Sequence, residues 1–424
     1  MLLLYLIQNI GKKMKKTSCL ISSVLITILL LCSCSNKADL LYAQSIYEVH
    51  APGYESIDRK APAPLKKIPT SRYQLSETQG YINAKAKKGN KASLMFVGDL
   101  MCQGRQQNRA KQNGIYNFNK SFDYVKPLFQ KADFIMGNLE TTLSQSAPYM
   151  GEVKEVDNKP HCNAPATFLD ALKYAGFDAV GTANNHACDA GVKGIYETLE
   201  HIQNYGFIQT GTYNNANAQR FIIVNVKGIK IAIMSYATYF NTKDKNLTTS
   251  GRKILLNKYS YERCKKDVTD AKALGAEFIF AYNHWGKEHT YEITEKQKRY
   301  AQEMADAGID YILGSHSHCL QPYNLLTAKD GRKVPVIYSL GNFTSHMKKE
   351  INKDTIILSV NLTRNVDGKV IVEQEGYIPC RIFTQFRNVY YQVIPANGQV
   401  NSSYLTLSKH RIQKVIGNQL KMLP

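Results

Sequence analysis

Acidic residues are in short supply in this chain. Its 424 residues include 34 of them against 54 lysines and arginines, a formal net charge of +20. An excess of this sign favours contact with anionic polymers, anionic lipid or polyphosphate, and carries no information about fold. Nucleic acid is not the expected partner. The one dense basic cluster, Lys85, Lys87, Lys88 and Lys91, has no nucleic-acid-binding motif beside it and reads as a solvated face. Tryptophan occurs once, at Trp285, and no internal repeat is visible. The cysteine spacings match no structural zinc site. Long apolar runs are missing too: the one at residues 20–31 is too short for a comfortable membrane span.

That short run fits a different role. Lys12, Lys13, Lys15 and Lys16 precede it as a basic n-region, and Leu31-Cys32-Ser33-Cys34 after it resembles a bacterial lipobox with Cys34 as the residue to be lipidated. Residues 1–34 therefore read as a lipoprotein signal peptide starting naturally at Met14, the alternative being a plain N-terminal anchor. Either way the bulk of the chain is expected outside the cytoplasm, and the lipobox implies that it is lipid-anchored to a membrane of the cell envelope. Its removal leaves 50 basic residues facing 34 acidic ones. Six cysteines then remain: Cys102, Cys162, Cys188, Cys264, Cys319 and Cys380. An oxidising compartment permits disulfides, but burial as small apolar side chains is the default expectation.

Residues 35–91, with Pro52, Pro62, Pro64 and Pro69 and many lysines, read as an extended linker. From Ala92 the pattern changes. Residues 94–97, 134–136, 177–180, 278–282, 311–313 and 334–338 are apolar runs of strand length, while 122–132, 165–175, 192–205, 259–274 and 294–307 have helical spacing. Asp189 and Thr294 are placed to cap helices. Residues 221–226 and 229–236 read as a hairpin through Lys227-Gly228, and late strands near 355–362 and 369–379 pair through Asp367-Gly368. Alternation of this kind predicts an α/β fold, a mainly parallel sheet covered by helices with a second sheet packed on it. Residues 92–385 form the expected domain and 386–424 a C-terminal extension.

The strands run out into residues that carry chemistry. Asp99, then Asn138 and Glu140, then Asn185 and His186, then His284 and Glu288, then His316 and His318 each follow a predicted strand. In open α/β sheets, sites form beyond the carboxyl ends of the strands. His316 and His318 are two residues apart, so in extended backbone both imidazoles aim at one point. Mixed imidazole, carboxylate and amide-oxygen donors suit a divalent Mn, Fe, Zn or Mg ion, one or two of them. Two ions about 3.5–4 Å apart stabilise in-line attack at phosphorus.

Six blocks in unbroken order carry a family resemblance: Gly98-Asp99-Leu100-Met101, Gly137-Asn138-Leu139-Glu140, Ala183-Asn-Asn-His186 with Asp189 and Gly191, His284-Trp285-Gly286 with Glu288, Gly314 with His316 and His318, and Ser339-Leu-Gly-Asn342-Phe343. Together they resemble the CapA capsule-synthesis (poly-γ-glutamate biosynthesis) family over about residues 94–343. The resemblance implies a four-layer αββα sandwich, similar to calcineurin-like metallophosphoesterases, with a dinuclear metal site. By motif, Asp99, Asn185, His284, His316 and His318 match metal-binding positions, and Glu140 falls where a bridging carboxylate is supplied. His186 matches the histidine that acts on the leaving group. Asn138, Glu288 and Asn342 stand beside these as substrate-contacting or supporting residues. Two positions depart from the phosphoesterase pattern. Met101 replaces the histidine of Asp-x-His, and Asn138 the bridging aspartate, so one ion site is expected to be weak or empty. His161, His201, His289, His346 and His410 match no block and read as ordinary core or surface residues.

The expected protein is an envelope lipoprotein with a metal-dependent, phosphoesterase-type hydrolase domain. It would serve the synthesis, export or attachment of an extracellular anionic polymer such as capsular poly-γ-glutamate. The rival reading is a non-catalytic polymer-binding or assembly factor that keeps the fold and at most one ion. A third is a surface for protein–protein contact.

Overall fold

Strands that are apolar at consecutive positions bury both faces, and this chain has enough of them to stack one sheet on another. The computed structural model describes residues 72–424 apart from 77–79, 84, 86 and 157. The signal peptide, Cys34 and residues 35–71 of the expected linker lie outside the described residues. In chain order the strands of the two large sheets begin with β1 (Gln74–Ser76), β2 (Gly80–Ile82), β3 (Lys91–Leu100), β4 (Phe134–Leu139), β5 (Ala179–Gly181) and β6 (Ile208–Thr210). They continue with β7 (Phe221–Val226), β8 (Ile229–Ala237), β9 (Phe278–His284), β10 (Tyr311–Ser315) and β11 (Leu320–Thr327). The last are β12 (Lys333–Leu340), β13 (Asn342–Thr344), β14 (Asp354–Arg364), β15 (Val370–Phe386) and β16 (Val389–Pro395). The longer helices are α1 (Phe168–Ala175), α2 (Gly191–Asn204), α3 (Tyr261–Ala273), α4 (Glu295–Ala307) and α5 (Ser403–Ile416).

One 8-stranded sheet has the order β1-β2-β7-β8-β9-β10-β12-β11, the other β6-β5-β4-β3-β14-β15-β16 with β13 paired to β3. The period of two along each central strand decides the layering. Leu94 and Phe96 of β3 join Phe280, Leu313 and Ile233 of the other sheet. Met95 and Val97, one position off, join Phe168 and Leu172 of α1. On β9, Phe278 and Phe280 face inward, while Ile279 and Ala281 meet Val268 of α3 and Met304 of α4. The order is helix, sheet, sheet, helix: the expected αββα sandwich.

Strands β3 to β6 run parallel, as do β8, β9, β10 and β12, so each sheet collects its strand ends along one edge. The hairpin β7–β8 and the antiparallel pair β14–β15 form as expected. So does the cap of α4, where Thr294 and Gln297 make a capping box. Residues 122–132 do not form one helix. A 3-10 turn over Asn119–Phe122 precedes a single helical turn at Lys126–Phe129, because Pro127 has no N–H to continue a ladder and is held at the helix start.

Both flanks of the expected 92–385 domain carry further structure. Arg72 pairs with buried Asp178, and β2 extends the first sheet by pairing with β7. At the other end β16 pairs with β15, and Ile412 and Ile416 of α5 enter the inter-sheet core. Asp354 of β14 anchors that helix by a two-pronged contact from Arg411 (2.6 and 2.9 Å), and Arg381, with a side chain 4% exposed, stands 3.5 Å away. Asp354→Ala leaves these guanidiniums short of a partner. It is expected to cost about 3 kcal/mol, read as a lower urea midpoint. An unchanged midpoint would mean that the apolar face of α5 docks the helix alone.

Candidate metal centre

Asp99 lies on β3 directly opposite Asn138 on β4, and its carboxylate accepts from two sides. Asn138 Nδ2 donates to Oδ1 at 2.7 Å, and the backbone N–H of His316 donates to Oδ2 at 3.1 Å. Asn138 also touches His284 Nδ1 at 3.2 Å, which links the end of one sheet to the end of the other. Around His284 Nε2 stand Asn185 Oδ1 at 2.9 Å, His316 Nδ1 at 3.0 Å and Glu140 Oε1 at 3.5 Å. His318 Nδ1 is 2.9 Å from Asn342 Oδ1 and 3.5 Å from Asp99 Oδ2, and its Nε2 is 3.8 Å from Glu140 Oε1. Segments far apart in sequence thus bring oxygen and nitrogen donors to one cup. The Asn342 oxygen accepts from His318 Nδ1 and so orients the ring with Nε2 toward Glu140.

The histidine pair converges for a reason other than strand alternation. β10 ends at Ser315, and His316 and His318 both have positive φ, 91° and 56°. A side-chain-bearing residue seldom adopts this conformation, and strain of this sort collects at functional sites. The rings lie 5.8 Å apart between centroids. Tyr239 packs edge-on to the His316 ring at 4.9 Å, and its hydroxyl contacts the imidazole. It was overlooked in the sequence, although it stands just past the carboxyl end of β8, where the rule that located the other residues would have found it.

Glu140 sets the electrostatics. It is fully buried, and among the described residues neither carboxylate oxygen has a hydrogen-bond partner. Burial first, and the nearby Asp99 second, push its carboxyl well above the usual range. Burial also lowers His284 and His316, helped in each case by the neighbouring imidazoles. His284 and His316 are therefore neutral, as ligation requires. Two donor triplets, Asp99–Glu140–His284 and Glu140–His316–His318, each lie within 4.8 Å internally and share Glu140. A buried carboxylate without partners, flanked by neutral imidazoles, fits a divalent cation, and the sharing fits a bridging carboxylate.

Residues 93–347, more than half of the chain, match the family described as Bacterial capsule synthesis protein PGA_cap. The chain belongs to this family. Similar proteins include the PGA biosynthesis protein CapA of Bacillus subtilis (strain 168), 28% identical over 287 residues that cover 65% of this chain and 69% of that protein. The capsule biosynthesis protein CapA of Bacillus anthracis is 27% identical over 300 residues, 69% of each chain. Similar solved structures include the NAD nucleotidase NadN of Haemophilus influenzae (TM-score 0.45, 13% identity, 77% of this chain and 63% of that one). Another is the calcineurin-like phosphoesterase YfkN of Bacillus subtilis (TM-score 0.42, 14% identity, 76% and 97%).

In this capsule-synthesis family member His186 stands beside the cup rather than in it. Its Nδ1 is 2.7 Å from Asp189 Oδ2. Asp189 does not cap α2, as its position had implied. The helix begins at Gly191 with no side-chain cap, and Asp189 turns inward to accept from the Cys162 backbone N–H at 2.6 Å and to pair with Lys243 Nζ at 3.1 Å. Burial opposes its charge, but His186, Lys243 and that N–H hold the carboxyl below its usual range. Glu288 is not in the cup: its side chain is 44% exposed and, among the described residues, its one ion-pair partner is His289, at 3.9 Å. His289, expected to be ordinary, borders the site, with its ring 5.8 Å from that of His318 and Asn352 holding its Nδ1 at 3.1 Å. Met101 is buried, with its backbone carbonyl taken by Gln106 and Thr344. The six cysteines are all buried, and none is paired with another among the described residues. Among them Cys162 places its sulfur 3.7 Å from His186 Nε2; no strand end or spacing marked it in the sequence.

Proposed function

We propose that the chain is a cell-envelope lipoprotein whose cup binds one or two divalent ions and hydrolyses a phosphoester-type bond during synthesis, export or attachment of an extracellular anionic polymer. The observation that carries this is Glu140, buried without hydrogen-bond partners between Asp99, His284 and His318. Support for the polymer comes from the family description and from the relatives named for PGA and capsule biosynthesis. The net positive charge and the lipobox at Cys34 favour the envelope and an anionic substrate. Among the described residues no helix is long and apolar enough to cross a membrane.

When bound, a divalent ion supplies Lewis acidity at the oxygen that gathers charge. The chain's own residues do the rest. Asp99, Glu140, Asn185, His284, His316 and His318 hold the ion. Asn138 and Asn342 fix Asp99 and His318 in orientation, and His289 and Glu288 meet the substrate at the rim. Asp189 fixes the His186 ring so that Nε2 delivers a proton to the departing oxygen. A specific observation favours a non-catalytic polymer-handling role instead. Asn138 gives Asp99 an amide donor where a bridging carboxylate would add charge, which weakens one ion position.

The test measures bound metal and turnover of bis(p-nitrophenyl) phosphate. The double variant Asp99→Ala, His316→Ala is expected to lose its metal and at least about 100-fold in turnover. His186→Ala is expected to keep the metal and lose about 100-fold. Wild type with no metal-dependent turnover would leave the polymer-handling reading.

A further inference from the structure

Beyond the metal cup the fold aligns a sulfur, an imidazole and a carboxylate. Cys162 Sγ lies 3.7 Å from His186 Nε2, and His186 Nδ1 lies 2.7 Å from Asp189 Oδ2. Asp189 is held in turn by the backbone N–H of Cys162 at 2.6 Å and by the Lys243 ammonium at 3.1 Å. Lys243 is itself only 9% exposed and also donates to the Pro160 carbonyl at 3.1 Å. Nucleophile, base and orienting group are therefore in sequence, each ring nitrogen facing its own partner.

Two other uses of these atoms fit less well. Cys162, His186 and Asp189 bring three donor atoms within 4.8 Å of one another, but both Asp189 oxygens are already engaged by His186 Nδ1, Lys243 and a backbone N–H, which leaves two uncommitted ligands. Zinc takes four, or three plus water. A thiol that attacks phosphorus needs cations or N–H groups around the phosphoryl oxygens. The neighbouring cation, Lys243, is spent on Asp189 and Pro160, and the N–H of Cys162 on Asp189. An acyl carbon gathers charge on a single oxygen, so it needs fewer such donors.

We infer that Cys162 is an acyl-accepting nucleophile, served by His186 and positioned through Asp189, and that the chain cleaves an amide or ester of a carboxylic acid through a thioester. In the first step the Cys162 thiol gives its proton to His186 Nε2, a bond forms between Sγ and the acyl carbon, and the bond from that carbon to nitrogen or oxygen breaks. The leaving amine or alcohol departs with the proton from His186. Water then attacks the thioester, the carbon–sulfur bond breaks, and the proton taken up by His186 returns to sulfur. One water is consumed for each bond cleaved, and no oxidant or reductant takes part. This activity does not rest on the phosphoester reading, since no ion takes part in it.

The experiment uses the full chain treated with EDTA and mixed with p-nitrophenyl acetate. A burst of about one equivalent of p-nitrophenolate is expected, with the acetyl group found on Cys162 by peptide mass spectrometry. Cys162→Ser, close in shape, should lose the burst at least tenfold while keeping the wild-type thermal midpoint. His186→Ala should slow acylation about 100-fold. Absence of a burst, acetylation confined to other residues, or an equal burst from folded Cys162→Ser would overturn the inference. Metal-dependent turnover of bis(p-nitrophenyl) phosphate, measured on the same preparation, judges the phosphoester reading separately.

Discussion

Glu140→Gln is expected to give a protein that folds at least as firmly as wild type without metal, and that gains almost nothing when a divalent ion is added. Charging a buried carboxylate with no hydrogen-bond partner costs free energy that the fold must absorb. Glutamine keeps the shape without the charge that burial penalises. The sign of the pH effect follows. Burial raises the folded-state pKa of Glu140, so the folded state binds this proton more tightly than the unfolded chain does. Metal-free wild type therefore loses stability from this group as pH climbs above the unfolded value near 4.3. The variant lacks that slope, and other titrating groups are common to both, so the difference between the two curves isolates Glu140. In wild type a bound ion stabilises by about 2.7 kcal/mol at a hundredfold excess over Kd. In the variant that gain should nearly vanish. Thermal unfolding with and without Mn²⁺ across pH 5–8 reads both effects. A full metal-induced gain in Glu140→Gln would remove Glu140 from the centre, and the bridging arrangement with it.

What could be read in the sequence was whatever depends on local pattern. Runs such as 94–97 and 278–282 are apolar at every position because both faces are buried, and their alternating partners lie in different layers. Their carboxyl ends hold Asp99 and His284, so the strand-end rule locates much of the cup from the sequence alone. It failed where a loop, not a strand, aims the side chain. His316 and His318 converge through two positive-φ residues, which no spacing rule anticipates. Asp189 looked like a cap because it precedes a helix, yet a buried ammonium 54 residues away and an imidazole outbid the helix terminus for it. Cys162 lies in a loop reached only through tertiary packing. The polar C-terminal residues hid α5 because its buried apolar positions, Leu405, Ile412 and Ile416, are few and separated by charge.

Gly98→Ala and Gly314→Ala should each be among the most damaging single substitutions outside the ligands themselves, because backbone stands where the new methyl would go. At Gly98 an added Cβ would sit 1.8 Å from the carbonyl oxygen of Gly341, the same oxygen that accepts from the Asp99 N–H at 2.9 Å. At Gly314 it would sit 1.9 Å from the Tyr338 carbonyl oxygen and 2.6 Å from the Trp285 indole nitrogen, which donates to that carbonyl. Neither clash can be relieved by turning a side chain, so strands must part. In one case Asp99 and Asn342 are displaced, in the other Ser315 and the histidines after it. Overpacking of this severity costs about 3 kcal/mol or more. Gly89→Ala is the control: nothing lies within 4 Å of its Cβ and its φ is not in the left-handed region, so its midpoint should stay within about 0.5 kcal/mol of wild type. Urea unfolding compares the three, and bound metal per chain separates the two damaging ones from mere instability. At a urea concentration low enough to keep them folded, both should bind less metal than Gly89→Ala. Wild-type metal content in a folded Gly98→Ala protein would show that the close approach of β3 to Gly341 serves the fold alone and does not position Asp99.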